Sequence, residues 1–146
     1  MLSSPAPIPC TQVPAFTPGR RNARIVGPAD LAGRWVVLGF QARDDRTDAG
    51  VVAALCDLAA AHTAEPAAIV VASTASWLET AARHAYDDDL DGRVEHILAD
   101  HQMRLAAAFG VLGDDGDARR AAFVIDPHGT IREVVSGGLQ PVLRAA

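Results

Sequence analysis

One stretch near the C-terminal end constrains the fold of this chain more than any other. A run of apolar residues leads into Asp126, and Pro127-His128-Gly129 then turns the chain into a second run, Thr130–Val135. Pro and Gly between two runs rich in β-branched residues are typical of a β-hairpin. Arg120 stands directly before the first run. The sequence therefore predicts a strand pair with a guanidinium group at its entry.

Apolar runs and helical patterns alternate along the rest of the chain. Strands are predicted at Trp35–Phe40, Ala67–Ser73, His96–Ala99, Ala121–Ile125 and Thr130–Val135, after a short opening strand that begins at Val13. Helices are predicted at Ala49–Ala64, Ser76–Tyr86 and Met103–Phe109, and the Glu65-Pro66 pair ends the first of them. Alternating strands and helices followed by a hairpin predict an α/β fold with both faces of the sheet covered.

Length and composition fit one compact domain. The chain has 146 residues, of which 49% are hydrophobic and only 5% aromatic, so the core is expected to be built from Ala, Val, Leu and Ile. We expect a flexible N-terminal segment at residues 1–12, the domain at 13–136 and a C-terminal tail at 137–146. Residues 1–9 lack the basic region and apolar run of a signal peptide, and no apolar stretch reaches membrane-spanning length.

Charge and residue usage exclude several classes of function. A net charge of −5 argues against nucleic acid as a partner. All 13 basic residues are arginines, which excludes a Schiff-base lysine. The five histidines form no paired metal motif and no glycine loop for phosphates is present, so neither a metal nor a cofactor is expected. The acidic runs at 87–89 and 113–117 are predicted to be solvated. The scarcity of cysteine predicts a cytoplasmic location.

The hairpin with its leading arginine resembles the late strand pair of the peroxiredoxins of the AhpC/TSA family. The opening strand is similar to that family, and so are four later segments in the same order: Leu31–Phe40, Ala67–Ser73, Ile97–Asp100 and Ala108–Leu112. The resemblance spans Val13 to Val135 and implies a thioredoxin-like central mixed sheet with helices on both faces. It also implies that Arg120 stands where the family has an arginine that holds the peroxide-reacting cysteine as a thiolate.

The loop after Phe40 departs from the family pattern, which is Pro-x-x-x-Thr-x-x-Cys. Aligned without gaps, Ala42, Arg46 and Ala49 stand in the places of the proline, the threonine and the cysteine. Sliding the alignment by one residue keeps Thr47 as the threonine but puts Gly50 in the place of the cysteine. Neither register provides a thiol, so the ordinary peroxidase chemistry of the family is expected to be missing.

The helix after this loop keeps the features that would polarise a thiolate. Thr47 or Asp48 is predicted to cap it, and an acidic residue there suits the helix dipole. Cys56 falls on the predicted apolar side and is expected to be a buried structural thiol. Cys10 precedes the first strand in an exposed, extended segment, where it could oxidise or pair between chains.

The aspartates of this loop allow two competing interpretations. Asp44, Asp45 or Asp48 could act as a general base if burial raised its pKa. The alternative, which we favour, is that these carboxylates pair with Arg43, Arg46 and Arg120. An anion or small carbonyl compound could also bind here, held by a set comprising Arg46, Thr47, Ala49, Arg120 and the free amides of the helix N-terminus.

Two functions follow from these observations. The first is a peroxiredoxin-like protein without the peroxidatic cysteine, repurposed to bind a small anionic or carbonyl-containing molecule or a protein partner. The second is an enzyme: an unusual oxidoreductase using Cys10 or Cys56, or a catalyst that uses the loop aspartates and Arg120 without a cysteine. Analogy of fold favours a homodimer.

Overall fold

The computed structural model describes residues 1–18, 24–84 and 93–136. The strands are β1 (Ala6–Pro7), β2 (Val13–Phe16), β3 (Arg24–Val26), β4 (Val36–Gln41), β5 (Ala68–Ser73), β6 (His96–Ala99), β7 (Ala121–Ile125) and β8 (Thr130–Ser136). The helices are α1 (Pro28–Leu31), α2 (Ala49–Ala60), α3 (Trp77–His84) and α4 (Arg104–Phe109).

The eight strands form one mixed sheet in the order β1-β8-β7-β4-β5-β6-β2-β3. Its centre is parallel, because β4 pairs with β5 and β5 with β6 in the same direction. The outer pairs, including β4 with β7 and β7 with β8, are antiparallel. Every residue of β4 and β7 is buried, which is why these strands appear in the sequence as continuous apolar runs rather than alternating ones.

Helices cover both faces of the sheet and create two hydrophobic cores. On one face, Leu105 and Phe109 of α4 pack with Phe40 and Phe123, and the rings of Phe109 and Phe123 have centroids 4.9 Å apart. On the other face, α2 packs Val52 and Leu55 against the sheet, joined by the half-buried Trp77 of α3. The predicted α/β architecture is confirmed.

One carboxylate stabilises the turn of the C-terminal hairpin. Asp126 accepts hydrogen bonds from the amides of His128 and Thr130 at 2.9 and 3.0 Å, and from Arg132 Nε at 2.6 Å. Gly129 has φ +80°, a conformation in which a residue without Cβ avoids strain. The Pro127-His128-Gly129 signal thus predicts the turn that forms.

Several element boundaries differ from those that the sequence predicts. Helix α2 ends at Ala60 rather than Ala64, before the Glu65-Pro66 pair is reached. Helix α3 begins at Trp77 and is described only to His84, so residues 85–92, including Asp87-Asp88-Asp89, lie outside the described residues. The strands β1 and β3 and the short helix α1 were not predicted. The tail at 137–146 also lies outside the described residues.

The N-terminal segment lies on the sheet. Strand β1 pairs with β8, with Ala6 opposite Ile131, and Ser4 Oγ donates to the Ile131 and Arg132 carbonyls at 3.2 and 2.7 Å. The amide of Leu2 bonds the Phe109 carbonyl at 2.9 Å. Part of the segment predicted to be flexible therefore covers one edge of β8. Among the described residues, no helix is both long enough and apolar enough to cross a bilayer.

Candidate functional site

The loop between β4 and α2, residues 42–48, closes partly on itself. The hydroxyl of Thr47 is buried and donates to Gln41 Oε1 at 2.8 Å. The Asp45 amide donates to the Ala42 carbonyl at 3.0 Å, and Asp45 Oδ2 accepts from the Ala42 amide at 3.0 Å. Thr47, a predicted binding residue, therefore points into the protein and fixes the loop instead of facing a ligand.

Arg120 contacts the loop through a bidentate ion pair with Asp45. Its Nε donates to Asp45 Oδ2 at 2.7 Å and its Nη2 to Oδ1 at 2.6 Å. This is the internal pairing that the sequence analysis favours. The hydrogen bond from Arg120 holds the pKa of Asp45 below its usual value against the opposing effect of burial, helped by the Ala42 amide. The lowered pKa and the pairing with Arg120 argue against Asp45 as a general base, a role that requires a raised pKa.

Helix α3 supplies a second set of contacts to the same loop. Arg43 forms a bidentate pair with Glu79, at 3.2 Å from Nε and 2.8 Å from Nη2. Arg83 Nη1 donates to the carbonyls of Arg43 and Asp45 at 2.8 and 3.0 Å. The partner of Arg43 is therefore a helix residue rather than a loop aspartate, and α3 holds the loop together with Arg120.

Asp117 is the loop contact that sequence analysis missed. Its carboxylate accepts from the Arg43 amide at 3.1 Å, from the Thr74 hydroxyl at 2.6 Å and from the Ala118 amide at 2.7 Å. Burial alone would raise its pKa, but the bonds from Thr74, Arg43 and Ala118 outweigh burial and the pKa is lowered. The prediction that the 113–117 run is merely solvated is wrong for Asp117. A single acidic residue after a glycine-rich turn carries no sequence signal of such distant partners.

The N-terminus of α2 is capped by the protein itself. Asp48 Oδ1 accepts from the Val51 amide at 2.9 Å, and the Val52 amide bonds the Asp48 carbonyl at 3.1 Å. The capping prediction is confirmed for Asp48, which uses the amides of Val51 and Val52. Ala49, which stands in the place of the family cysteine, is the exposed first residue of α2. Asp44 and Arg46 are exposed.

Both cysteines have exposed side chains. Cys10 was expected to be exposed, and it is. The prediction that Cys56 is buried is wrong: the inward side of α2 is formed by Val51, Val52 and Leu55 with their neighbours, and Cys56 lies about a third of a turn away from the middle of that stripe. Seven residues separate it from Ala49, so it lies about 10 Å along the helix axis from the loop.

An open cleft of about 660 Å³ lies beside the Arg120–Asp45 pair, and we call it the Arg119 cleft. Its charged lining residues are Arg119, Arg120 and Met1, which carries the terminal ammonium, and the other residues are small or apolar apart from Ser136. It is lined by Met1, Ala42, Gly110, Val111, Ala118, Arg119, Arg120, Ala121 and Ser136. Of the predicted binding residues Arg46, Thr47, Ala49 and Arg120, only Arg120 lines this cleft.

Proteins of similar sequence include a probable peroxiredoxin and a thioredoxin peroxidase. The chain is 29% identical over 142 residues to the probable peroxiredoxin prdx-3 of Caenorhabditis elegans, covering 84% of this chain and 56% of that protein. It is also 29% identical over 115 residues to a thioredoxin peroxidase of Fasciola hepatica, covering 73% of this chain and 57% of the relative. The chain thus spans little more than half the length of these two relatives.

Solved structures share the fold. AhpC of Mycobacterium tuberculosis superposes with a TM-score of 0.77 at 24% identity, covering 99% of this chain and 90% of that one. The reduced 2-Cys peroxiredoxin of Plasmodium vivax gives a TM-score of 0.72 at 18% identity, covering 95% and 91%. The AhpC/TSA family pattern matches residues 9–134. The chain belongs to the AhpC/TSA family.

Proposed function

We propose that this protein is a family member that no longer acts as a thiol peroxidase and instead binds a small anionic or carbonyl-containing molecule at the face of the former active site. The observation that carries the proposal is the pairing of Arg120 with Asp45. In the family pattern the equivalent arginine serves a cysteine thiolate, whereas here a carboxylate of the same loop occupies the guanidinium. No cysteine stands at either candidate position, Ala49 or Gly50.

The fixed state of the loop supports a binding role. It is held by Glu79 and Arg83 of α3 and by Asp117 and Arg120 of the connection between α4 and β7. A recognition surface benefits from such pre-organisation, because a ligand then does not have to order the loop when it binds. The Arg119 cleft lies beside the loop, and its arginines favour an anionic ligand.

An oxidoreductase that uses Cys56 is the second candidate, and the exposure of this thiol is the observation that favours it. Its position counts against a reactive thiolate. Cysteine pKa values are lowered at helix N-termini or beside cations, and Cys56 lies two turns inside α2. A catalyst based on loop carboxylates is less supported, because Asp45 is held ionised by Arg120 and Asp48 caps the helix.

Peroxide consumption decides between the two candidates. Hydrogen peroxide and an organic hydroperoxide are supplied with dithiothreitol to the wild type and to the Cys10→Ser and Cys56→Ser variants. We expect all three proteins to consume peroxide no faster than buffer. Rapid turnover by the wild type that disappears in Cys56→Ser would reject the binding proposal and establish the oxidoreductase.

Assembly and location complete the proposal. A homodimer is proposed from analogy of fold, and light scattering that finds a monomer at high concentration would reject it. A protein partner is the alternative ligand for the same face. A cytoplasmic location is proposed from the scarcity of cysteine.

A further inference from the structure

The sheet contains a point at which two neighbouring parallel strands send the chain to helices on opposite faces. Strands β5 and β6 pair in parallel. The chain leaves β5 for α3, which packs on the same face as α2, whereas it leaves β6 for α4, which packs on the other face. In open α/β sheets a crevice opens between two such connections, outside the carboxyl ends of the strands, and ligands bind there.

A crevice of about 490 Å³ lies at this point, and we call it the β5–β6 crevice. Ser76 and Trp77 line it from the junction of β5 and α3, and His101 and Gln102 line it from the connection after β6. It shares no lining residue with the Arg119 cleft. Its volume is in the range of small-molecule sites. The topology of the sheet and the crevice therefore indicate the same place as a second site.

Exposed apolar side chains form part of the crevice wall. Ile25 of the edge strand β3 is 60% exposed, and Pro14 of β2, its partner in the register, is also exposed. Trp77 is half-buried, and its Nε1 donates to the Ala15 carbonyl at 3.1 Å, which fixes the indole ring. A flat ligand that covers these side chains would remove apolar surface from water, and this removal favours binding.

The polar part of the lining is rich in amides, and its charges balance. The side chains of Gln12 and Gln102 are exposed and make no hydrogen bond within residues 1–18, 24–84 and 93–136. Arg104 and Asp100 contribute one charge of each sign, and both oxygens of the buried Asp100 carboxylate accept from amides of α4. With His101 neutral, the lining offers amide donors and acceptors but no net charge that would attract an ion.

We propose that the β5–β6 crevice binds an uncharged purine nucleoside that carries an exocyclic amino group, such as adenosine. A glutamine side chain presents a donor and an acceptor side by side, and this pair matches the amino group and the adjacent ring nitrogen of adenine. The flat base would cover Ile25 and Pro14 beside the fixed indole of Trp77, and bases gain affinity by stacking on aromatic rings. This inference goes beyond the proposed function, because it concerns a different site and an uncharged ligand.

Tryptophan fluorescence of the full chain tests the proposal, with adenosine as the probe. The chain has two tryptophans, and only Trp77 lines the crevice, so the emission of the Trp35→Phe variant reports on this site. We expect adenosine to change that emission saturably. Purine riboside, which lacks the amino group, should bind at least about fivefold more weakly, and AMP should bind no more tightly than adenosine. Backbone amide NMR of the wild type should show adenosine-dependent shifts at Ile25 and Gln102.

Matched variants assign the binding to the crevice. Ile25→Ala and Leu78→Ala each remove an exposed aliphatic side chain, but of the two only Ile25 lines the crevice. Ile25→Ala should weaken adenosine binding about threefold or more, whereas Leu78→Ala should bind like the wild type. Replacing both Gln12 and Gln102 by Ala should make adenosine and purine riboside bind equally, because the groups that recognise the amino substituent are then gone.

Four results would overturn the proposal. They are the absence of both fluorescence and amide shifts with adenosine, equal weakening by Ile25→Ala and Leu78→Ala, equal binding of adenosine and purine riboside to the wild type, and tighter binding of AMP than of adenosine. The last result would show that the crevice recognises an anion. None of these measurements involves the Arg119 cleft or peroxide turnover, so a failure here is separable from a failure of the proposed function.

Discussion

Two polar turns follow buried strands of the same sheet, and they are held in different ways. The hairpin turn after β7 is organised by Asp126, whose three partners lie two, four and six residues further along the chain. The loop after β4 is held by Glu79, Arg83, Asp117 and Arg120, which lie 36 to 75 residues from their loop partners. The side-chain bonds of the hairpin turn are thus local, whereas those that hold the loop come from residues that the completed fold brings to it.

This difference bears on function. A turn held by its own sequence can form early and independently, but a loop held by distant side chains can form only when the sheet and α3 are in place. In the family pattern, this loop leads to the nucleophilic cysteine. In this chain the distant contacts fix the loop around a carboxylate–guanidinium pair, and the proposed recognition surface lies next to this fixed loop.

Removal of the Asp126 carboxylate should have the largest effect. Its side chain is only 4% exposed, and Asp126→Ala would leave two backbone amides and the Arg132 guanidinium without their acceptor. We expect the free energy of unfolding to fall by about 2–3 kcal/mol, measured by urea titration. Asp114→Ala, which removes an exposed acid from the turn at residues 113–117, is the control and should change stability little. A similar loss in both variants would contradict the local account of the hairpin.

Asp117→Ala should have the next largest effect. The variant removes the acceptor of the Thr74 hydroxyl and of the Arg43 and Ala118 amides. Because the group is only partly buried, water can replace some of these bonds, and we expect a loss of about 1–2 kcal/mol. Hydrogen exchange should also accelerate at the Arg43 amide but not at the Thr130 amide of the hairpin. Unchanged exchange at Arg43 would mean that Asp117 does not hold the loop.

Arg120→Ala should have a smaller effect on stability. The pair with Asp45 is solvent-accessible, with 52% of the Arg120 side chain exposed, and such pairs contribute about 0.2–1 kcal/mol. Thermal melting at low salt measures the loss, and Arg24→Ala controls for the change in net charge. Melting of Arg120→Ala that equals that of the wild type at low salt would show that Arg120 has no internal role.

The sheet and its helices were predictable because their signals are local. Strands β6 and β7 have the predicted bounds, since apolar runs buried on both faces are readable from the sequence. The Asp48 cap was predictable for the same reason, as its acceptor and donor lie three residues apart. The short strands β1 and β3 were not predictable, because two- and three-residue strands depend on the edge that they pair with.

The site was less predictable than the fold. The Arg120–Asp45 pair could be anticipated because the family resemblance placed an arginine beside a loop rich in acids. Asp117 and Glu79 could not, because nothing near them in the sequence indicates a partner on another element. The burial of Cys56 was predicted from its apolar neighbours. A residue at the boundary between the buried and exposed sides of a helix can point either way, and in α2 Cys56 points outward.

The central claim is that Arg120 serves Asp45 and no thiolate or external anion. The most direct measurement is a carbon-detected NMR titration of the Asp45 side-chain carboxyl, in the wild type and in Arg120→Ala. We predict a wild-type midpoint below the ordinary value of 3.8 and an upward shift when Arg120 is removed. Because the folded pKa is lowered, the stability from the pair should be present above the unfolded pKa of 3.8 and lost as the pH falls through the folded pKa. A midpoint at or above 3.8 that does not respond to Arg120→Ala would contradict the account.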